Sequence, residues 1–163
     1  MAQVSLTPVR VRELLDYDPS AGVWTWKCIR RPGGVLVAGA IDSKGYRQIT
    51  IDGVRYLSSR LAVMWMRGYW PSEQVDHINL VRDDDRWENL REATRSQNFA
   101  NQRVYASNKL GVKGVSLVKS GRFIAQIQVG QKKMFLGRFD TIEDASRAYT
   151  AAAKDHFGEY ART

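Results

Sequence analysis

With 163 residues, the chain has room for one medium domain or two small ones, and an apolar content of 44% is ordinary for a chain that packs a core. Its 25 Lys and Arg outweigh 17 Asp and Glu, for a formal charge of +8, a surplus that favours a polyanionic partner. A single cysteine, Cys28, excludes an internal disulfide and suits a reducing compartment, and no run is long and apolar enough to span a membrane.

The opening residues M-A-Q-V-S-L-T-P lack a charged region followed by an apolar core, so no signal peptide is expected. The expectation is a soluble, cytoplasmic protein with no membrane partner. Charge is unevenly spread. Residues 105–163 hold 10 basic and 5 acidic side chains, which leaves a surplus of only 3 for 1–104.

A short helix is predicted over Leu6 to Leu15, with Thr7 as cap, Pro8 in the first position and Val11, Leu14 and Leu15 as its apolar stripe. Tyr17 to Gly22 reads as a turn. Val23 to Lys27 follows as a strand that sets Trp24 and Trp26 on one face, both read as core. Cys28 continues it as inert packing. Arg30-Arg31-Pro32-Gly33-Gly34 is a basic loop, equally a phosphate contact or a solvated turn. Tyr46 to Ile51 alternates, Asp52-Gly53 signals a two-residue hairpin, and Val54 to Leu57 returns. Ser58 or Ser59 is placed to cap a helix running to about Arg67, which stops at Gly68.

The stretch Val75 to Asn101 concentrates the chemistry. Val75 to Ile78 reads as a strand and Asn89 to Ala93 as its return across a polar loop. The acids Asp83, Asp84 and Asp85 read as exposed loop and not as a second metal site. Thr94 with Gln97 three residues on forms a capping box for a helix that carries Asn98 and Asn101 on one face. Such a hairpin and helix would gather Asp76, His77 and Asn98. A carboxylate and an amide oxygen are hard ligands of the kind Mg²⁺ accepts, with water and phosphate completing the shell. A neutral imidazole beside them is suited to take a proton from an attacking water.

This stretch resembles the HNH endonucleases, the ββα-metal nucleases of introns and phages, with the signature positions on His77, Asn89 and Asn98. The resemblance implies His77 as general base, Asp76 and Asn98 as ligands of a divalent ion (Mg²⁺, with Mn²⁺ as the second choice), and Asn89 as the brace of the loop. Leu80 departs from the homing branch, which often has Gly after D-H-I-N. The upstream region resembles that of many phage HNH proteins, but its helix opens Ser59-Arg60-Leu61-Ala62 where theirs often opens His-Arg-Leu-Ala.

A linker is predicted near Gln102 to Leu110, and three strands and a helix beyond it: Val112 to Val118, Arg122 to Val129, Lys132 to Phe139, then a helix opened by the box Thr141 to Asp144. Phe123, Ala125, Ile127 and Val129 alternate with Ile124, Gln126 and Gln128. Ala145, Ala148, Tyr149, Ala152 and Phe157 form the stripe that would lie on the sheet. From Lys109 to Phe139 there are seven basic residues and no acid. His156 near the helix end reads as structural.

Through K-G-V-S, G-R-F-I-A-Q-I and M-F-L-G-R-F-D-T-I-E-D-A-S-R-A-Y, residues 110–161 resemble the Apetala-type, or ethylene-response-factor, DNA-binding domain, whose three-stranded sheet lies in the major groove. Carried over, the DNA contacts fall on Lys113, Ser116, Gln126, Gln128, Lys133 and Phe135. Several of these differ from the plant-type residues, so the target sequence does not transfer. The expected fold is α+β: a ββα-metal nuclease domain over 1–104, then over 105–163 a three-stranded antiparallel sheet packed on one helix. The function expected is a metal-dependent endonuclease of the homing or phage type, in a bacterial host cytoplasm if phage-encoded, acting on double-stranded DNA. The alternatives are a non-catalytic DNA-binding regulator built on a nuclease, and an RNA-directed protein.

Overall fold

A computed structural model describes residues 6–31 and 34–162. Residues 1–5, Pro32, Gly33 and Thr163 lie outside the described residues, as do the side chains of Cys28, Arg30 and Arg31. The architecture mixes small sheets with helices and forms two compact units, Met1–Glu92 and Ala93–Thr163. Among the described residues no helix is long and apolar enough to cross a membrane.

In the first unit, helix α1 (Pro8–Leu14) starts where Thr7 accepts the Arg10 amide and Pro8 needs no partner for a missing N–H. It ends one residue early, because Leu15 already belongs to a strand. Strand β1 (Leu15–Asp18) pairs with β2 (Val23–Arg31), which also carries β3 (Gly34–Val37). The composition of residues 17–22 predicts a turn, but 17 and 18 belong to β1. The strand wins because Leu15 and Tyr17 alternate inward with Asp16 and Asp18 outward, opposite Trp26 and Trp24.

A second sheet joins β4 (Ala40–Ile41), β5 (Arg47–Ile51) and β6 (Val54–Leu57). Asp52 and Gly53 both take positive φ, 48° and 81°, the backbone that a two-residue hairpin with the native twist requires. Helix α2 (Ser58–Arg67) stops at Gly68 in the left-handed conformation. Its N-terminus has no side-chain cap, so neither Ser58 nor Ser59 serves as predicted, and Ser58 is used elsewhere. The core unites Val11, Leu15, Trp24, Ile49, Ile51 and Leu61 from α1, both sheets and α2. Strands β7 (Gln74–His77) and β8 (Leu90–Ala93) then form a two-stranded pair.

The second unit begins with α3 (Arg95–Asn101), opened by a complete Thr94–Gln97 capping box. Ala100 of α3 packs with Ile127, Ala153 and Phe157, so this helix belongs to a unit that begins ahead of the predicted linker. Strands β9 (Val115–Leu117), β10 (Phe123–Val129) and β11 (Lys132–Phe139) make an antiparallel sheet in the order β11-β10-β9, covered on one face by α4 (Ile142–Phe157). Ala125 and Ile127 are buried beneath α4 together with Ala145 and Ala153. A bulge sets Gln126 opposite Phe135 and Ala125 opposite Gly137, so the intervening Leu136 turns into the core. Gly114 carries no side chain because a Cβ there would stand 2.1 Å from the Tyr149 ring and 2.5 Å from the Gln126 carbonyl.

Candidate active site

The polar centre of the first unit is built on β7. Asp76 and His77, consecutive and both buried, reach different partners. Arg91 on β8 places Nε and Nη2 each 3.0 Å from Asp76 Oδ2, an ion pair with side chains 11% and 4% exposed. Burial of both charges makes geometry decisive, because an unpaired partner would be left in a poorly solvated site. His77 Nε2 lies 3.0 Å from Asp85 Oδ1, and the Tyr46 ring stands at a tilt with its centroid 6.0 Å from the imidazole.

Asp85 is the residue that sequence reading placed wrongly. Three consecutive acids predict exposed loop, yet Asp85 is 1% exposed. The Ser58 hydroxyl at the start of α2 donates to Asp85 Oδ2, and Tyr17 Oη donates to the Asp85 carbonyl at 2.6 Å. Gly22 lets the turn after β1 lie against this segment: a Cβ there would stand 2.5 Å from the Arg86 nitrogen and 2.6 Å from the Asp85 carbonyl carbon. Burial raises the Tyr17 phenol well above its usual range, with the Asp85 charge second, so Tyr17 stays a donor.

The loop between β7 and β8 is tied internally. Asn89 is buried; its Oδ1 accepts the Asn79 amide at 3.0 Å, its Nδ2 donates to the Asp84 carbonyl at 2.8 Å, and its own carbonyl accepts the Ile78 amide at 2.9 Å. Asp84 takes Arg86 in a two-pronged pair, Nε and Nη2 each at 2.8 Å, and the Asn79 side-chain amide at 2.6 Å. These donors, Arg86 foremost, hold the Asp84 carboxyl well below the usual carboxylate range. Leu80 takes φ 65° in this loop, the left-handed backbone that glycine adopts without penalty.

Asp76, His77 and Asn89 are thus gathered by one strand pair and its loop. Asn98 lies in the other unit, half-buried on α3. No group of three or more His, Cys, Asp or Glu able to hold a metal occurs among the described residues. The Asp76 carboxylate and the Asn98 amide oxygen are each hard donors of the kind that a divalent ion such as Mg²⁺ accepts.

In the second unit, strand register sorts the predicted contacts. Val115, Ala125 and Ile127 face α4, so Ser116, Gln126 and Gln128 point to the opposite face, with Phe135 across from Gln126 and Lys133 across from Gln128. Phe135 is 60% exposed, unusual for a large aromatic side chain. Lys113 departs from this set. Its ammonium donates to the carbonyls of Ala100 at 2.7 Å and Arg162 at 2.6 Å. Burial, and then the Arg162 charge, lower its pKa to about 8. A groove of about 720 Å³ opens beside Gln126, Gln128 and Lys133, with Arg95 and Phe99 of α3 on its wall.

Comparison with known proteins places the chain beside nucleases. A family model described as HNH endonuclease matches residues 56–100, the segment from β6 through most of α3. Among solved structures, one titled "DNA binding and cleavage by the HNH homing endonuclease I-HmuI" is 17% identical, covers 88% of this chain and 85% of that chain, and superposes with a TM-score of 0.43.

Proposed function

We propose that this chain is a divalent-metal-dependent DNA endonuclease that hydrolyses phosphodiester bonds, with target recognition supplied by its second unit. The observation that carries the reading is the buried Asp76-His77 pair and its Asn89-braced loop, lying inside the segment that matches the HNH endonuclease model. His77 is the general base, taking a proton from the water that attacks phosphorus. Asp76 and Asn98 would hold the ion, Mg²⁺ by preference and Mn²⁺ next. When bound, it offsets the charge that develops on the phosphodiester and its leaving oxygen. Arg91 fixes the orientation of Asp76, and Asn89 keeps the loop that carries Asp85 in register with β7.

The second unit is the reader, in the manner of an Apetala-type domain. The face of its sheet opposite α4 presents Ser116, Gln126, Gln128, Lys133 and Phe135 to double-stranded DNA. Glutamine amides pair with adenine edges, and an exposed phenyl ring suits a thymine methyl. Lys119, Lys132 and Arg138 supply phosphate contacts from a stretch without acids. Lys113 is left out of this role because its ammonium is engaged within the unit.

The test is incubation of full-length protein with plasmid or phage DNA, with Mg²⁺ or with EDTA, beside the His77→Ala variant. Cleavage should need the ion and fall by at least about 10²-fold in the variant, while DNA affinity stays unchanged. DNA that is bound and left whole under every divalent ion would instead make the chain a regulator.

A further inference from the structure

We infer that Asp85 is the positioning residue of the candidate base: it fixes His77 as the Nε2–H tautomer, so that Nδ1 is the atom that takes the proton. The inference rests on the reading of His77 as base, and it concerns a residue outside the Asp76, His77, Asn89 and Asn98 set.

The argument starts from acceptors and donors. A neutral imidazole has one N–H and one lone pair, and the partner of one nitrogen decides which is which. Nε2 faces Asp85 Oδ1 at 3.0 Å in a site where both side chains are almost wholly buried. Two lone pairs meeting there would be an uncompensated buried repulsion, so one group must donate. The second oxygen of Asp85 indicates which. Ser58 Oγ lies 3.0 Å from the Arg47 carbonyl as well as against Oδ2, and its single proton goes to the stronger acceptor, the carboxylate. Asp85 therefore accepts at both oxygens, from Ser58 and from Nε2–H, which leaves the ring's lone pair on Nδ1.

Orientation is secured by three elements. Ser58 comes from α2, Tyr17 from β1 holds the Asp85 backbone, and Gly22 admits the turn that backs it. Tyr17 is itself stacked on the buried Trp24, centroids 4.5 Å apart. A carboxylate gripped this way cannot follow a drifting imidazole, so the imidazole is held to one pose. Such a restraint matters because a reacting group misplaced by about 1 Å loses on the order of 10²-fold in rate.

The chain has only 2 histidines, His77 and His156, so ¹⁵N-imidazole labelling of the full-length protein gives two sets of ring signals, assigned with His156→Gln. At a pH where the rings are neutral, His77 should show protonated Nε2 and unprotonated Nδ1. In Asp85→Ala the signals should move toward a mixture of tautomers, with kcat down roughly 10- to 100-fold and the Kd for uncut DNA unchanged. Should Asp85→Ala fail to fold, Asp85→Asn replaces it. Its amide can either accept from or donate to Nε2, and cleavage should follow the fraction of Nε2–H. A wild-type spectrum with the proton on Nδ1 overturns the inference, as does a folded Asp85→Ala protein that cleaves at the wild-type rate. Wild-type protein that cuts no DNA removes the nuclease reading and the positioning role with it, whereas a wrong tautomer in an active enzyme removes the positioning role alone.

Discussion

Replacing Asn89 with Ala separates loop architecture from chemistry. The side chain satisfies two groups, the Asn79 amide and the Asp84 carbonyl, at 3.0 and 2.8 Å. Each buried polar group left unpaired costs about 1–3 kcal/mol. Because Asn79 and Asp84 are only half-buried, water recovers part of that, and a total of about 2–3 kcal/mol is expected. The backbone bonds from Ile78 to Asn89 and from Asn89 to Arg86 survive, so the loss stays within this range. For a unit of this size the melting midpoint should fall by roughly 10–20 °C. All 5 tryptophans lie before residue 93, which lets tryptophan emission in a urea titration report the first unit within the full-length protein. Asn89→Asp retains the acceptor for Asn79 but turns a carboxylate oxygen on the Asp84 carbonyl, so it should be at least as damaging. An Asn89→Ala protein with an unchanged urea midpoint would refute the reasoning, and the loop would then owe its shape to Asp84 and Arg86.

Asp76→Ala should abolish ion-dependent cleavage and also destabilise the first unit by about 3–5 kcal/mol, because it breaks a buried ion pair with Arg91. Adding Arg91→Met should restore much of the urea midpoint and none of the cleavage, which divides the structural role of Asp76 from its chemical one. Lys113 is depressed to about 8 in the folded state against an ordinary value near 10.5. The unfolded chain therefore binds more protons between those values, and stability should rise as pH climbs from about 8 towards 10. Circular dichroism melts across that window should show a slope that Lys113→Met removes. Gln126→Ala should relax sequence preference in a binding selection, while Lys119→Ala should weaken all sequences alike and reduce the salt slope by about 1.

Periodic and capping signals made much of the fold legible from sequence. The Asp52-Gly53 hairpin, the Thr94–Gln97 box and the alternation of β10 are local patterns, each decided within a few residues, and each is present. Strand β1 was missed because four residues beside a turn give too short an alternation to outweigh Asp18-Pro19-Ser20. At the candidate site, Asp76 and His77 stood out because an acid and an imidazole adjoin. Asp85 did not. Nothing in three consecutive aspartates distinguishes the one that is buried; its partners, Ser58 and Tyr17, are 27 and 68 residues away. Ser58 was misread for the same reason, its position inviting a helix cap while its proton is used by a distant carboxylate. Lys113 joined the DNA contacts through the Apetala-type resemblance, and only the fold shows two carbonyls taking its ammonium.

The 68-residue span between Tyr17 and the Asp85 carbonyl also bears on the order of assembly. Closing so long a loop costs chain entropy before any contact repays it, so this junction should form late, after the Asp52-Gly53 hairpin and α2. Until it closes, the Asp85 backbone lacks the Tyr17 hydroxyl that holds it, and the carboxylate beside His77 is less firmly placed. Competence would then arrive with the completed unit and not piecemeal during synthesis. A refolding time course in which cleavage returned ahead of tryptophan emission would show the opposite order.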